Sequence, residues 1–246
     1  AGDVAGSISK RPVMRPIIDL LDEKGDEIFA NADSVVLEVD LEKELVKKVL
    51  ELENVTDQYQ DALGSYLVKL SGAEMSHADN RTLNNLLYTI SDIERIGDHA
   101  TNLAEAAKEM HEKKVNFSEA AKAELEVLEQ AVLDMLAKTA KAFELTDLAR
   151  AMKIEPHEEV IDALVREVKS RHVRRLRDGK CTVEYGFVLD DLLTSYERIA
   201  DHCSNLAVSV LEYTMTDVHG HDYLRTLKAA GDSQYQILLA GYSAKY

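Results

Sequence analysis

The sequence predicts an all-α protein built from two tandem three-helix bundles related by a pseudo-twofold axis. Apolar residues recur at helical spacing from about residue 17 to residue 216, and no segment shows the sustained alternation of a β-strand. Proline is rare, with three residues in the chain and none between positions 17 and 155, so long helices are not interrupted. The third observation is an internal repeat that divides the helices into two equivalent sets.

The expected helix boundaries follow from capping residues and glycines. Gly25 weakens the first helix, the Ser71–Gly72 pair ends the second, and Ser118 is a favourable N-cap for the fourth. The six predicted helices cover about residues 17–38, 41–71, 79–113, 118–145, 148–177 and 185–216. The last 30 residues are expected to hold one short helix and a weakly structured tail.

The composition excludes several classes of function. The 246 residues contain 45 acids and 29 bases, a formal net charge of −16, and no Trp, so nucleic acid is not an expected partner. Two cysteines, Cys181 and Cys203, are too few for a disulfide scaffold and suit a reducing compartment. The sequence shows no Gly-rich phosphate loop and no G-x-S-x-G, H-E-x-x-H or C-x-x-C motif. We therefore expect a protein that is not an enzyme.

The internal repeat has two parts. Residues 94–104 read ERIGDHATNLA and residues 197–207 read ERIADHCSNLA, with eight of eleven positions identical. An E-x-x-x-D pair precedes each copy, at Glu53 and Asp57 and again at Glu158 and Asp162. The predicted organisation is a flexible basic arm (1–16), a first three-helix repeat (17–114), a second repeat (115–216) and a C-terminal extension (217–246).

The spacing of the acids predicts that carboxylates of adjacent helices meet. Residues four apart share one face of a helix, and small residues beside the ERIxDH acids let a neighbouring backbone approach closely. Carboxylate oxygens suit Mg, Ca, Mn or Fe and are acceptable to Zn, and facing helices are a known place for such centres. The candidate metal ligands are Glu53, Asp57, Glu94, Asp98, Glu158, Asp162, Glu197 and Asp201.

Other interpretations of the acids stay open. A single E-x-x-x-D pair is most often a solvated helix face, and duplication alone would preserve a structural core. Further residues of the repeat are candidates for contacts around a centre. Asn102 and Asn205 lie one turn beyond Asp98 and Asp201 on the same helix face. His99 and His202 follow a ligand by one residue and so point about 100° away, which favours a hydrogen-bonding role over direct ligation. Arg95 and Arg198 are expected to pair with acids across the bundle. A basic run from Lys169 to Lys180 is explained by the dipole of a helix C-terminus or, less simply, by an anion site.

These motifs resemble the PhoU family of phosphate-uptake regulators, and most closely the C-terminal PhoU-like region of bacterial Na/Pi cotransporter proteins. The resemblance covers about residues 40–215 and includes YLVKLSG (66–72), FSEAA (117–121) and HVRRLRDGKC (172–181). It implies two three-helix bundles and multinuclear metal clusters on the eight candidate ligands. Iron is the first choice of metal, with Zn, Mn, Mg and Ca as alternatives.

The resemblance also implies a role and a set of partners. Family members couple membrane phosphate transporters, and in many bacteria a sensor kinase, to phosphate supply. We therefore expect a cytoplasmic module at the inner membrane that contacts a transporter, which could be a membrane domain preceding it in the same protein. A sensor kinase and a second copy of the chain are further candidate partners. Two alternatives stay open, namely a di-metal carboxylate enzyme or metal store, and a metal-free helical scaffold.

Overall fold

The computed structural model describes residues 39–215 and 220–246, and every regular element within these ranges is an α-helix. The helices are α1 (Val39–Ser71), α2 (His77–Glu112), α3 (Glu119–Leu145), α4 (Leu148–Ala151), α5 (Ile154–Arg177), α6 (Val183–Thr214), α7 (Gly220–Ala229) and α8 (Ser233–Lys245). The all-α fold class is therefore confirmed. The predicted arm at 1–16 and the predicted helix at 17–38 lie outside the described residues.

Side-chain caps set several helix starts. Ser76 forms a capping box with Asp79, so α2 begins two residues before the predicted position. Ser118 caps α3 as expected, by accepting a hydrogen bond from the backbone N–H of Ala121. Asp147 caps α4 in the same way, through the backbone N–H of Arg150.

The helix predicted over residues 148–177 is broken into two. The single turn α4 ends at Ala151, and α5 starts afresh at Ile154. Pro156 explains the break, because in a continuous helix it would lack the N–H that bonds to the Met152 carbonyl and its ring would clash with that carbonyl. Its place in the first turn of α5 needs no intrahelical donor, so the new helix tolerates it there.

The main core lies between α3, α5 and α6, which together form the bundle of the second repeat. Helix α2 packs along α6 and joins the two repeats, and α1 packs against α2. The largest fully buried side chains include Leu128, Met135, Ile161, Leu193 and Ile199. The first repeat is represented in the described residues by α1 and α2.

The C-terminal extension is more ordered than the sequence pattern suggests. It forms two helices, α7 and α8, instead of one short helix and a weakly structured tail. Asp232 caps α8, and the Tyr235 hydroxyl donates a 2.8 Å hydrogen bond to Glu159 on α5. Tertiary contacts of this kind stabilise a short helix whose own amphipathic pattern is weak.

No helix in the described ranges combines the length and the apolar composition needed to cross a membrane.

The second bundle should depend on its buried leucines. Leu193 has no accessible surface, so Leu193→Ala should lower the free energy of unfolding by about 2–5 kcal/mol through lost burial and a cavity. Leu145 is 58% exposed, and Leu145→Ala is the matched control, with an expected change of about 0.5 kcal/mol or less. Urea unfolding followed by circular dichroism measures both. Equal losses in the two variants would contradict this assignment of the core.

Candidate metal centres

The duplicated motif places paired acids on neighbouring helices. In the first repeat, α1 carries Glu53 and Asp57 and α2 carries Asp98, and these two helices pack together. A Cβ added at Gly97 of α2 would lie 3.9 Å from the Thr56 side chain, so the small residue of the ERIGDH run faces α1 as expected. In the second repeat the corresponding small residue, Ala200, is completely buried.

Six of the eight candidate ligands gather into two groups of three. We name Glu53, Asp57 and Asp98 the first acidic group, and Glu158, Asp162 and Asp201 the second acidic group. Within each group one carboxylate oxygen of every residue lies within 4.8 Å of those of the other two, and all six residues are half-buried. The groups match each other residue for residue across the repeat.

The other two candidate ligands, Glu94 and Glu197, lie outside the two acidic groups. Glu94 lies beside the first acidic group, where burial and then the charge of Asp98 raise its pKa. Among the described residues, neither Glu94 nor Glu197 belongs to a set of three such close carboxylates. Glu155 stands near the second group instead, since its charge helps to raise the pKa of Glu158. Its spacing of three from Glu158 on one helix face is the signal that could have indicated it.

Burial and mutual repulsion disfavour the ionised forms of these acids. Burial is the largest cause of the raised pKa of Glu53, followed by the charges of Asp57 and Asp98. Glu158 is affected more strongly: burial, then Asp162, Glu155 and Asp201, raise its pKa to about 8. Each group therefore holds negative charge that a proton or a cation would relieve.

Arginines offset part of this charge from within their own helices. Arg95 lies 3.6 Å from Asp98, and Arg198 lies 3.0 Å from Asp201, both at a spacing of three residues. Among the described residues, each of these arginines therefore pairs with an acid of its own helix and not across the bundle as expected, because the (i, i+3) partner is within reach. The second group has an additional ion pair, Arg166 to Asp162 at 3.3 Å.

A polar network joins α2 to α6 between the two acidic groups. His202 Nδ1 of α6 lies 2.8 Å from Asp92 Oδ1 of α2, and Asn205 donates a 3.0 Å hydrogen bond to the same oxygen. The His99 and His202 rings stack with centroids 5.8 Å apart, and Asn102 Nδ2 lies 3.4 Å from His99 Nδ1. His202 thus makes the interhelical contact that the repeat suggested, while Asp92 was not identified from the sequence because it precedes the repeated motif.

The basic run at the end of α5 is largely neutralised by nearby acids. Arg175 lies 2.9 Å from Glu124, Arg171 lies 2.7 Å from Glu167, and Lys169 lies 3.1 Å from Asp190. These ion pairs disfavour an anion site in the basic run and favour the explanation that its cations complement the acids and the helix C-terminus around them.

The architecture defines a protein of two tandem helical bundles with an acidic group in each half. A family model described as the PhoU domain matches residues 20–107 and again residues 125–210, in agreement with the internal repeat. The chain belongs to the PhoU family.

Relatives in curated collections and solved structures agree with this assignment. The chain is 27% identical over 194 residues to the phosphate-specific transport system accessory protein PhoU homolog 1 of Thermotoga maritima, across 76% of this chain and 80% of the relative. It is 24% identical to a homolog of the same description from Streptococcus pneumoniae, across 67% of this chain and 76% of the relative. These names describe accessory proteins of transport, in agreement with the prediction that the chain is not an enzyme.

Two crystal structures share the fold. The phosphate transport system regulatory protein PhoU from Streptococcus pneumoniae superposes with a TM-score of 0.66 at 20% identity, covering 86% of this chain and 97% of that chain. PhoU from Pseudomonas aeruginosa gives a TM-score of 0.71 at 20% identity, covering 85% and 98%. Helices α7 and α8 begin after residue 210, where the second family-model match ends.

The raised pKa of Glu158 should make the metal-free chain less stable as pH rises. Its folded-state pKa of about 8 lies above the usual value of 4.5, so between these values the folded chain keeps a proton that the unfolded chain loses. The melting temperature in EDTA should therefore fall from pH 5 to pH 8, by about 2–4 °C for each kcal/mol lost. Glu158→Gln should reduce this fall. Glu126→Gln, at an exposed position on α3, is the control and should leave it unchanged. A slope that survives in Glu158→Gln would contradict the assignment.

Proposed function

We propose that this chain is a non-enzymatic regulator of phosphate transport whose two acidic groups bind metal ions, one centre in each repeat. The observation that carries the proposal is the duplicated set of three carboxylates with oxygens within 4.8 Å of one another, in a member of the PhoU family. Chance would not place the same three residue types at the same helical phase twice.

The donor set fits a hard cation. Each group offers three carboxylates and no sulfur, which suits iron, Mn, Mg or Ca and is acceptable to Zn. The residues that would hold the metal are Glu53, Asp57 and Asp98 in the first repeat and Glu158, Asp162 and Asp201 in the second. Glu94 and Glu155 interact electrostatically with the first and second groups, which makes them the candidates for a further carboxylate of a multinuclear cluster, and Glu197 stays a candidate ligand. A bound cation would supply positive charge and would bridge carboxylates, and no redox step is needed.

Metal binding by these acids would then fix the positions of the paired helices relative to each other. Every group takes two acids from one helix and one from the next, so shared coordination would fix α1 against α2 and α5 against α6. Asp98 and Asp201 currently pair with Arg95 and Arg198, and a cation would compete with these arginines for the same oxygens. The network of His202, Asn205 and Asp92 links α6 to α2, and so links one centre to the other.

The relatives' names support the regulatory part of the proposal. They describe accessory proteins of a phosphate-specific transport system, and we propose the same setting here, with a membrane phosphate transporter as the partner and the cytoplasm as the location. Metal occupancy would change how rigidly the helix pairs are held, and with it the surface offered to the transporter.

Neutralising a carboxylate of one acidic group should abolish metal binding at that group and leave binding at the other group unchanged. Asp98→Asn should remove binding at the first acidic group only, and Asp201→Asn at the second only, because each variant loses the ligand that comes from the facing helix. Asp61→Asn and Asp191→Asn are matched controls, since both acids are exposed and lie on α1 and α6. Metal content by mass spectrometry and titration with Mn²⁺ measure binding, and far-ultraviolet circular dichroism should show unchanged helicity. Full metal content in the Asp98→Asn, Asp201→Asn double variant would place the metal elsewhere and exclude these centres. No metal in the wild-type chain would leave the alternative of a metal-free scaffold.

The regulatory role has its own test in cells. In cells lacking the protein, phosphate uptake should no longer decrease when external phosphate is plentiful, and the wild-type chain should restore the decrease. Uptake of radiolabelled phosphate measures this, and Asp61→Asn should restore it as well as the wild type. Normal control of uptake without the protein would overturn the regulatory assignment. Metal-dependent oxidation by the purified iron-loaded chain would favour the alternative of a di-metal carboxylate enzyme.

A further inference from the structure

A cavity of about 460 Å³ lies where the C-terminal helix α8 meets α3 and the turn between α4 and α5. Four basic side chains line it, namely Lys138 of α3, Arg150 of α4, Lys153 of the turn and Lys245 of α8. No carboxylate is among the described lining residues. Such a gathering of cations is unusual on a chain with a net charge of −16.

Two of the four cations form no ion pair with a carboxylate of the described residues. Arg150 is held by Asp147 at 3.0 Å, and Lys245 is paired with Asp134. Within the described part of the chain, no carboxylate lies within 4.0 Å of the Lys138 or the Lys153 ammonium. Lys138 is also half-buried, and burial lowers its pKa, as does the nearby charge of Lys245, although Asp134 raises it. The cavity therefore keeps positive charge that an anion would stabilise.

Aromatic rings fix one wall of the cavity. The Tyr242 ring lines it and stacks on His157 with centroids 4.2 Å apart, and Lys138 Nζ lies 4.6 Å from the Tyr242 centroid. His157 is completely buried, and its two ring nitrogens have no hydrogen-bond partner within the described residues. Burial lowers the pKa of His157 to about 3, so the ring is neutral and acts as an aromatic support. The wall is thus formed before any ligand arrives.

Helix α8 contributes the apolar part of the cavity. Ile237 and Leu238 line the cavity with aliphatic side chains, and Ile237 is 65% exposed. Gly241 leaves further room, because a Cβ placed there would have no atom within 4 Å. The cavity therefore combines cations, three of them from outside α8, with an apolar surface and open space on α8.

We propose that this cavity binds an organic phosphate of about nucleotide size. The phosphoryl oxygens would contact Lys138 and Lys153, and the organic part would pack against Ile237, Leu238 and Tyr242. The volume lies within the range of about 300–1,000 Å³ that is typical of small-molecule sites, and a bare phosphate ion would leave the apolar side empty. Five of the eight lining residues come from α8, beyond the family-model match, so the site depends on the C-terminal extension and shares no residue with the acidic groups.

Calorimetry and thermal shift on the full chain in EDTA test the proposal, with ATP, AMP, inorganic phosphate and adenosine as probes. EDTA removes metal ions, so ATP cannot act by extracting them. ATP and AMP should bind and raise the melting temperature, inorganic phosphate should bind at least tenfold more weakly, and adenosine should not bind measurably. No binding of either nucleotide, or equal binding of inorganic phosphate and nucleotides, would overturn the proposal.

Variants locate the binding. Lys153→Met, at an exposed position that does not endanger folding, and Lys138→Met should each weaken ATP binding at least tenfold. Gly241→Leu should fill the space for the organic part and weaken ATP without changing the charge. Lys108→Met, an exposed lysine on α2, is the matched control and should bind ATP like the wild type. Unchanged ATP affinity in Lys153→Met and Gly241→Leu would place the nucleotide elsewhere and refute the site.

Discussion

In this PhoU-family chain, paired helices hold carboxylates together although the carboxylates repel one another. This repulsion is the constraint on which the architecture depends. Each repeat draws three acids into a half-buried group, and a bare helix would avoid such an arrangement. The surrounding core keeps the helices in place, with Leu128, Ile161 and Leu193 fully buried. Burial of the core side chains thus compensates for the repulsion between the carboxylates. The carboxylates remain at positions where metal ions could neutralise them.

The two halves do not carry this constraint equally. In the first group Arg95 is the nearby cation, and Asp61 stands one turn beyond Asp57. At the corresponding position of the second repeat, Arg166 pairs with Asp162, and the Lys228 side chain of α7 pairs with Glu159 at 3.2 Å. Among the described residues, the second group therefore has more cations near it than the first, and one of them, Lys228, comes from the C-terminal helix α7.

The sequence predicts much of the fold and part of the sites, and the limits have physical reasons. The repeat predicted that Glu53, Asp57 and Asp98 meet, because helical phase alone determines which residues share a face. Phase could not determine that Glu197 lies outside the second acidic group, since this depends on the rotation of α5 against α6, whereas the spacing of three between Glu155 and Glu158 on α5 was available in the sequence. The break before α5 reflects Pro156, which the apolar periodicity of residues 148–177 does not register. The basic cavity was invisible because Lys138 and Lys245 are about 100 residues apart and no periodicity connects them.

The bridge between α2 and α6 is one-sided, although the repeat is two-sided. Asp92 accepts hydrogen bonds from α6, but the position equivalent to Asp92 in the second copy is Ser195, whose hydroxyl donates instead to the Asp191 backbone oxygen of its own helix at 3.0 Å. His99 therefore has no acidic counterpart on α6 of the kind that His202 has on α2. The two halves are therefore not interchangeable at this seam. A chain built from two copies of the second half would have serine at both positions and would lose the carboxylate that joins α2 to α6.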